Sequence, residues 1–337
     1  MIYALDFSHW KRKPLRQLFP DETICFVKES QKVPEGARLA VWGIQNVPGA
    51  LERGFSIIRI EDGFLRSVGL GADLIQPLSW IADERGIYFD ATCPSDLEIV
   101  LASTSFNTAL LLRAKALKDS IVATGLTKYN TGTTKWQRPQ ISKRMILVPG
   151  QVESDASLAY GAPEIKTNLA LLQAVKNSHP EAYVIYKPHP DVVAKLRAKG
   201  NNEEAVAQWC DEVIIDAPMG DLLLAIDEVH CLTSLAGFEA LLRGKKVTCY
   251  GQPFYAGWGL TRDMVPIARR VRQLTLDELV AGALILYPRY MSRTKNTLIS
   301  PEEALHELTQ WHVQSGKSIP WWRKIFRVIL RKIVGVR

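Results

Sequence analysis

The chain lacks any run of about 18 apolar residues, the length needed to span a bilayer. Its start, MIYALDFSHWKRK, has neither the apolar core nor the cleavage site of a signal peptide, so the expected location is the cytoplasm. C-x-x-C pairs are also missing. The five cysteines (Cys25, Cys93, Cys210, Cys231, Cys249) are odd in number and widely spaced, which fits reduced thiols and argues against a zinc site. Neither G-x-G-x-x-G nor a Walker A motif occurs, which disfavours a dinucleotide dehydrogenase and a P-loop NTPase. With no Asp-x-Asp and no histidine cluster, no metal or other cofactor is expected.

What is present is a soluble globular composition, 47% hydrophobic and 23% charged, over 337 residues. That length suits two domains better than one core. Residues 1–125 read as a first α/β domain. IYALDF, TICFVK, RLAVWG and SIIRI are short apolar strands, each followed by turn or helix signals. The last runs into Glu61-Asp62-Gly63-Phe64-Leu65-Arg66-Ser67-Val68-Gly69-Leu70-Gly71, a loop of acids, an arginine, a serine and glycines at a strand exit. Tyr88–Asp90 reads as a further strand, followed by a Ser95/Glu98 capping box. Residues 126–142, polar and without apolar period, read as the interdomain linker.

Residues 143–300 read as a second doubly wound domain, in which three strand exits carry polar residues. Met145–Gly150 leads to Gln151–Asp155, Tyr183–Tyr186 to Lys187-Pro188-His189-Pro190-Asp191, and Asp227–Leu232 to Thr233–Glu239. Ligands of open α/β sheets sit at strand carboxyl ends, so these positions themselves point to a site. Thr233 or Ser234 caps a helix whose free N–H groups would receive a phosphate, with Gly237 allowing close approach. The loop Pro253–Gly259, aromatic and glycine-rich, suits a stacking platform or a hinge. Capped helices over Thr275–Leu286 and Ser300–His312 close the fold.

The net charge is +7, and six of its cations fall in the last 17 residues, WWRKIFRVILRKIVGVR, which contain no acid. Projected as a helix, Trp322, Ile325, Phe326, Ile329, Leu330 and Ile333 share one face opposite the cations. Within residues 301–337, Trp321–Arg337 therefore reads as a helix lying on an anionic membrane surface. The remainder of the chain is nearly neutral, so nucleic acid is not expected as a partner.

Two Rossmann-like domains facing a cleft, closed by C-terminal helices, match the GT-B architecture of glycosyltransferases. EDGFLRSVGLG, IYFDATCPSDLE, VPGQVESDAS, YKPHPDV, TSLAGFEALLRG and YGQPFYAGWGLT, in that order over roughly residues 55–300, resemble capsule polysaccharide biosynthesis proteins of the KpsC/LipA type. The resemblance implies β-Kdo transfer from CMP-Kdo. The family's Q-x-x-x-D and H-P motifs are matched by Gln151 with Asp155 and by His189 with Pro190. Capsule enzymes of this type usually carry two such modules, and this chain has room for one. A β-linked product from a β-linked donor is retention, which by double displacement needs a carboxylate nucleophile and a separate acid/base. Asp155 is the expected nucleophile. Lys187 and His189 would neutralise the leaving phosphate, with Ser234, Leu235 and the helix start completing the cradle. Glu239 would hold cytidine or ribose. Across the cleft Glu61, then Asp62, is the candidate base, and Arg66 with Ser67 would hold the Kdo carboxylate. The expected partners are CMP-Kdo, a saccharide or lipid-linked acceptor, the anionic inner-membrane surface through Trp321–Arg337, and other polysaccharide-assembly proteins. A non-catalytic nucleotide-sugar or glycan-binding module and a CMP-releasing polyol-phosphate transferase are the competing readings.

Overall fold

The computed structural model describes residues 1–69, 75, 77–130 and 132–315. The membrane-binding segment expected at Trp321–Arg337 and the loop glycine Gly71 lie outside them. The first sheet is built on Ile2–Leu5 (β1), Ile24–Val27 (β2), Arg38–Trp42 (β3), Ser56–Asp62 (β4) and Ser79–Asp83 (β5). Its spatial order is β2-β1-β3-β4-β5, with the first four parallel and β5 antiparallel to β4. The second sheet contains Met145–Pro149 (β6), Tyr183–Lys187 (β7), Glu212–Val213 (β8), Glu228–Cys231 (β9), Lys246–Cys249 (β10) and Arg262–Asp263 (β11). Its order, β8-β7-β6-β9-β10-β11, is all parallel and is that of a Rossmann sheet. Parallel strands are covered on both faces, which is why β6 and β9 are buried at every residue. Two Rossmann-like sheets facing a cleft, with C-terminal helices, are the architecture expected.

Three local expectations are corrected. Tyr88–Asp90 forms a turn, and the strand of that region is β5, where buried Ser79 and Asp83 interrupt the apolar pattern. Ser95 does accept the Glu98 N–H at 3.1 Å, but the Glu98 carboxylate pairs with Arg269 and with Arg270 Nε (2.9 Å) instead of closing the box. The boxes of Thr275/Glu278 and Ser300/Glu303 are complete. The chain also returns to the first sheet well before residue 300. Arg289–Met291 (β12) pairs antiparallel with β5, Leu298–Ile299 (β13) pairs with β12, and the helix Leu276–Val280 packs on the helix Thr108–Ala123. Strands of three and two residues are too short for a readable alternation. After Val280 the helix widens over Ala281–Leu286, where the Tyr287 N–H bonds the Gly282 carbonyl five residues back at 3.1 Å.

The residues read as linker begin as a wedge between the domains. Ser67 and Gly69 donate their N–H groups to the carbonyls of Lys128 and Tyr129 (3.3 and 2.8 Å), while Lys128 donates its own to Glu239 Oε1 at 2.6 Å. Beside the wedge Phe64 of the first domain stacks on Phe254 of the second, ring centroids 4.5 Å apart, and Tyr88 meets Phe64 edge-on at 4.9 Å. Phe254, Tyr255 and Trp258 are buried, so the aromatic loop packs the interface and offers no stacking platform. Gly237 also serves packing, since an added Cβ would lie 2.2 Å from the Tyr255 hydroxyl.

Phe254→Ala is expected to lower the unfolding free energy by about 3–5 kcal/mol, measured by denaturant titration. A loss under about 1 kcal/mol would show that the ring cluster is not what joins the domains.

Candidate active site

A cleft of about 1310 Å³ lies between the two sheets and is lined from both. The second sheet reverses its winding between β6 and β9, and the residues leaving those strands meet there. Gln151 accepts the Thr233 N–H at 2.9 Å and donates to Thr233 Oγ1 at 3.0 Å, while Asn168 holds its main chain at 2.8 and 2.9 Å. Both ends of this amide are thus spent on bridging the two strand exits. It stands beside the Ser234 cap and on the lining of the cleft, the wall where the sequence reading expected the nucleotide. Ser234 Oγ accepts the Ala236 N–H at 3.2 Å at the head of the helix Leu235–Leu242, and Leu235 lines the cleft beside it.

Asp155 caps the short helix Ala156–Gly161 without a side-chain bond to it, and Arg197 Nη2 reaches its Oδ1 at 3.1 Å. Burial raises its pKa against the pull of Arg197 and Lys128, but the side chain keeps 38% of its surface exposed. Lys187 is buried with its ammonium 3.3 Å from the Ile215 carbonyl, and burial brings its pKa to about 8. His189 accepts the Asp191 N–H on Nδ1 at 3.2 Å, and Pro190 takes the first helical position behind it. Burial, with Lys128 and Arg197 nearby, lowers the imidazole to about 3. In the free protein His189 is therefore a neutral Nε2–H donor, able to hydrogen-bond a leaving phosphate but without the charge to neutralise it as the sequence suggests.

On the first-domain side Glu61 and Asp62 end β4. Burial and then the Asp62 charge push Glu61 up to about 7, although the Asp62 N–H donates to it at 2.9 Å. Asp62 Oδ2 takes Arg66 Nε at 2.6 Å, and its Oδ1 is buried without a hydrogen-bond partner. Arg66 also donates to Ser67 Oγ at 2.8 Å, and Ser67 is fully buried. Arg66, steadied by Ser67, thus holds Asp62 in place from the lining of the cleft, the wall where the sequence reading expected the Kdo carboxylate. Glu239, raised by burial to about 7, is occupied by the Lys128 amide and anchors the wedge.

Sequence reasoning missed Lys128. Its charge acts on Glu61, Asp155, His189 and Glu239, so it stands between the two walls of the cleft. Tyr129 meets His189 edge-on at 5.9 Å. Both sit in the polar segment read as linker, where only the tight Tyr129-Asn130 turn, Asn130 at φ 53°, marked a constrained backbone. Lys11 and Trp42 also line the cleft, from positions that carry no motif. Among the described residues no group of three His, Cys, Asp or Glu is placed to hold a metal.

The capsule polysaccharide biosynthesis protein family matches residues 47–290. The chain belongs to that family. It is 44% identical over 313 residues to the capsule polysaccharide modification protein LipA of Neisseria meningitidis serogroup A, covering 90% of this chain and 44% of that one. It is 40% identical over 327 residues to the lipopolysaccharide-processing protein LpsZ of Rhizobium meliloti, covering 91% and 74%. The chain thus spans less than half the length of the LipA relatives it matches. Among solved structures, the KpsC β-Kdo 2,7 transferase of Thermosulfurimonas dismutans superposes with TM-score 0.76 at 42% identity, over 92% of this chain and 98% of that one. The β-Kdo 2,4 transferase of the same KpsC gives 0.80 at 32%, over 91% and 97%. Membership of the KpsC/LipA type and the GT-B-like fold follow together.

A carboxyl whose pKa is raised in the fold stabilises while protonated, and that contribution is lost as pH climbs from its ordinary 4.5 to about 7. Glu239→Gln should therefore match the parent below about pH 4 and exceed its unfolding free energy by up to about 3 kcal/mol above pH 7. Equal stabilities at both ends of a pH series of denaturant titrations would show that Glu239 ionises normally.

Proposed function

We propose that the chain is a retaining β-Kdo glycosyltransferase that moves Kdo from CMP-β-Kdo to a saccharide or glycolipid acceptor in the synthesis of a bacterial surface polysaccharide. The carrying observation is the division of the cleft: a half-exposed carboxylate, Asp155, shares one wall with Lys187, His189 and the Ser234 helix start, and a carboxyl raised to about 7, Glu61, stands on the other. The two KpsC transferase structures support the reading, as does the match to their family.

Bond breaking begins at the anomeric carbon of Kdo. As the C–O bond to the CMP phosphate breaks, an Asp155 oxygen forms a bond to that carbon, and the bonding pair leaves with CMP. Burial raises the Asp155 carboxyl, and Arg197 opposes that by favouring its ionised form. Lys187, the His189 Nε2–H and the N–H groups behind Ser234 receive the charge growing on the phosphate. Lys128 faces the donor's own carboxylate, a role better suited to it than to Arg66, which Asp62 and Ser67 already engage. In the second step Glu61 takes the proton of an acceptor hydroxyl, whose oxygen displaces Asp155, and the second inversion restores the β configuration. A base with pKa near 7 is half ionised at neutral pH and strong enough to take that proton. Asp62 is the poorer placed of the two because Arg66 already engages its Oδ2. Attachment to the anionic inner face of the cytoplasmic membrane through Trp321–Arg337 completes the proposal and rests on the tail's amphipathic pattern.

Asp155→Asn should abolish transfer from CMP-β-Kdo, and intact-protein mass spectrometry of the parent with donor alone should find one Kdo added at Asp155. Near-normal transfer by Asp155→Asn would refute its role as nucleophile. For Glu61→Gln the expectation is a kcat about 100-fold lower or worse. The parent's kcat/KM should rise with pH through about 7, and the variant's should not. A variant that keeps that rise would move the base elsewhere.

A further inference from the structure

Lys11 lines the cleft but has no part in the donor chemistry above. It lies in the first turn of the helix His9–Leu18, where the positive end of the helix dipole disfavours a cation and no acid offsets it. Its ammonium sits 3.0 Å above the Trp42 ring and 5.3 Å from that of Trp10. Among the described residues no carboxylate lies within ion-pair distance of it; Glu61 and Asp62 act on it only through space. Burial lowers it to about 8, so it remains largely charged at neutral pH. A cation held by an indole face needs no carboxylate partner, and its N–H donors stay available to a ligand.

The topology gives this position a meaning. The first sheet winds from β1 to β2 on one side and from β3 to β4 on the other, so its switch point lies between β1 and β3. Trp42 is the last residue of β3, and Trp10 and Lys11 follow β1. The crevice outside such a switch point is where an open α/β sheet takes a ligand. The corresponding crevice of the second sheet is the one assigned above to the donor. Glu61, the base, ends β4 beside β3.

We infer that Trp10, Lys11 and Trp42 form an acceptor subsite at the β1/β3 crevice, where Lys11 binds the anionic group of an acidic saccharide while one of its hydroxyls faces Glu61. The inference rests on the transferase reading. Indole rings suit the C–H faces of a sugar, and the ammonium suits a carboxylate or a phosphate ester. Lys11 is a specificity-determining residue of the acceptor and does not touch the bonds being broken.

The test compares Lys11→Met and Lys11→Arg with the parent on three acceptors: an oligosaccharide ending in an acidic sugar, the same compound with its carboxyl reduced to an alcohol, and that reduced compound carrying a phosphate ester. Lys11→Met should raise KM about tenfold or more for one or both anionic acceptors and leave the reduced one little changed. Lys11→Arg should recover most of the loss, and calorimetric titration of the acidic acceptor should show the same order. Which anion suffers tells carboxylate from phosphate. Equal losses on all three acceptors, or none, would overturn the subsite. CMP release by the parent with donor alone reports the transferase reading separately; its absence, with no transfer to any acceptor, would remove both.

Discussion

The cleft depends on one hydrogen bond from main chain to side chain and the packing that shelters it, the Lys128 N–H to Glu239 Oε1 at 2.6 Å. Glu239 lies on the helix that follows β9, and Lys128 is gripped by the Ser67–Gly69 loop of the first domain. The bond thus fixes the carboxyl ends of two separately wound sheets face to face. Phe64 on Phe254 excludes water from the same junction. Without that registration Glu61 and Asp155 would belong to two unrelated surfaces.

The arrangement is electrostatically strained on purpose of position. Glu61 and Glu239 are carried at pKa values near 7 because burial penalises their charge, and Asp62 keeps a buried oxygen with no hydrogen-bond partner. Groups like these oppose folding at neutral pH. They persist where a ligand or a reaction uses them. The cations are distributed with the same economy. Arg66 is committed to Asp62 and Arg197 to Asp155, whereas Lys11 lies on the first-domain wall against Trp42 and Lys128 at the centre of the cleft.

The second domain was legible almost strand by strand, because parallel strands buried on both faces read as continuous apolar runs ending in polar loops, as in Met145–Pro149 and Tyr183–Lys187. The first domain was legible only to β4. Beyond it β5 hides its pattern behind buried Ser79 and Asp83, and β12 and β13 owe their pairing to contacts some 200 residues away in sequence, such as Arg289 opposite Trp80. Of the site, the charged residues at strand exits were visible. Their partners were not. Nothing local told that Gln151 would be spent on Thr233, that the His189 imidazole would be neutral, or that Lys128 would leave a polar linker for the centre of the cleft.

The central claim is that the nucleotide sits on the second sheet's crevice and leaves the first sheet's crevice to the acceptor. Hydrogen–deuterium exchange with and without saturating CMP tests it directly. Protection should appear in segments 151–155, 187–191 and 233–239, with 8–11 and 42–43 unchanged. Protection confined to 8–11, 42–43 and 61–69 would contradict the account, because it would place the nucleotide on the wall assigned to the acceptor.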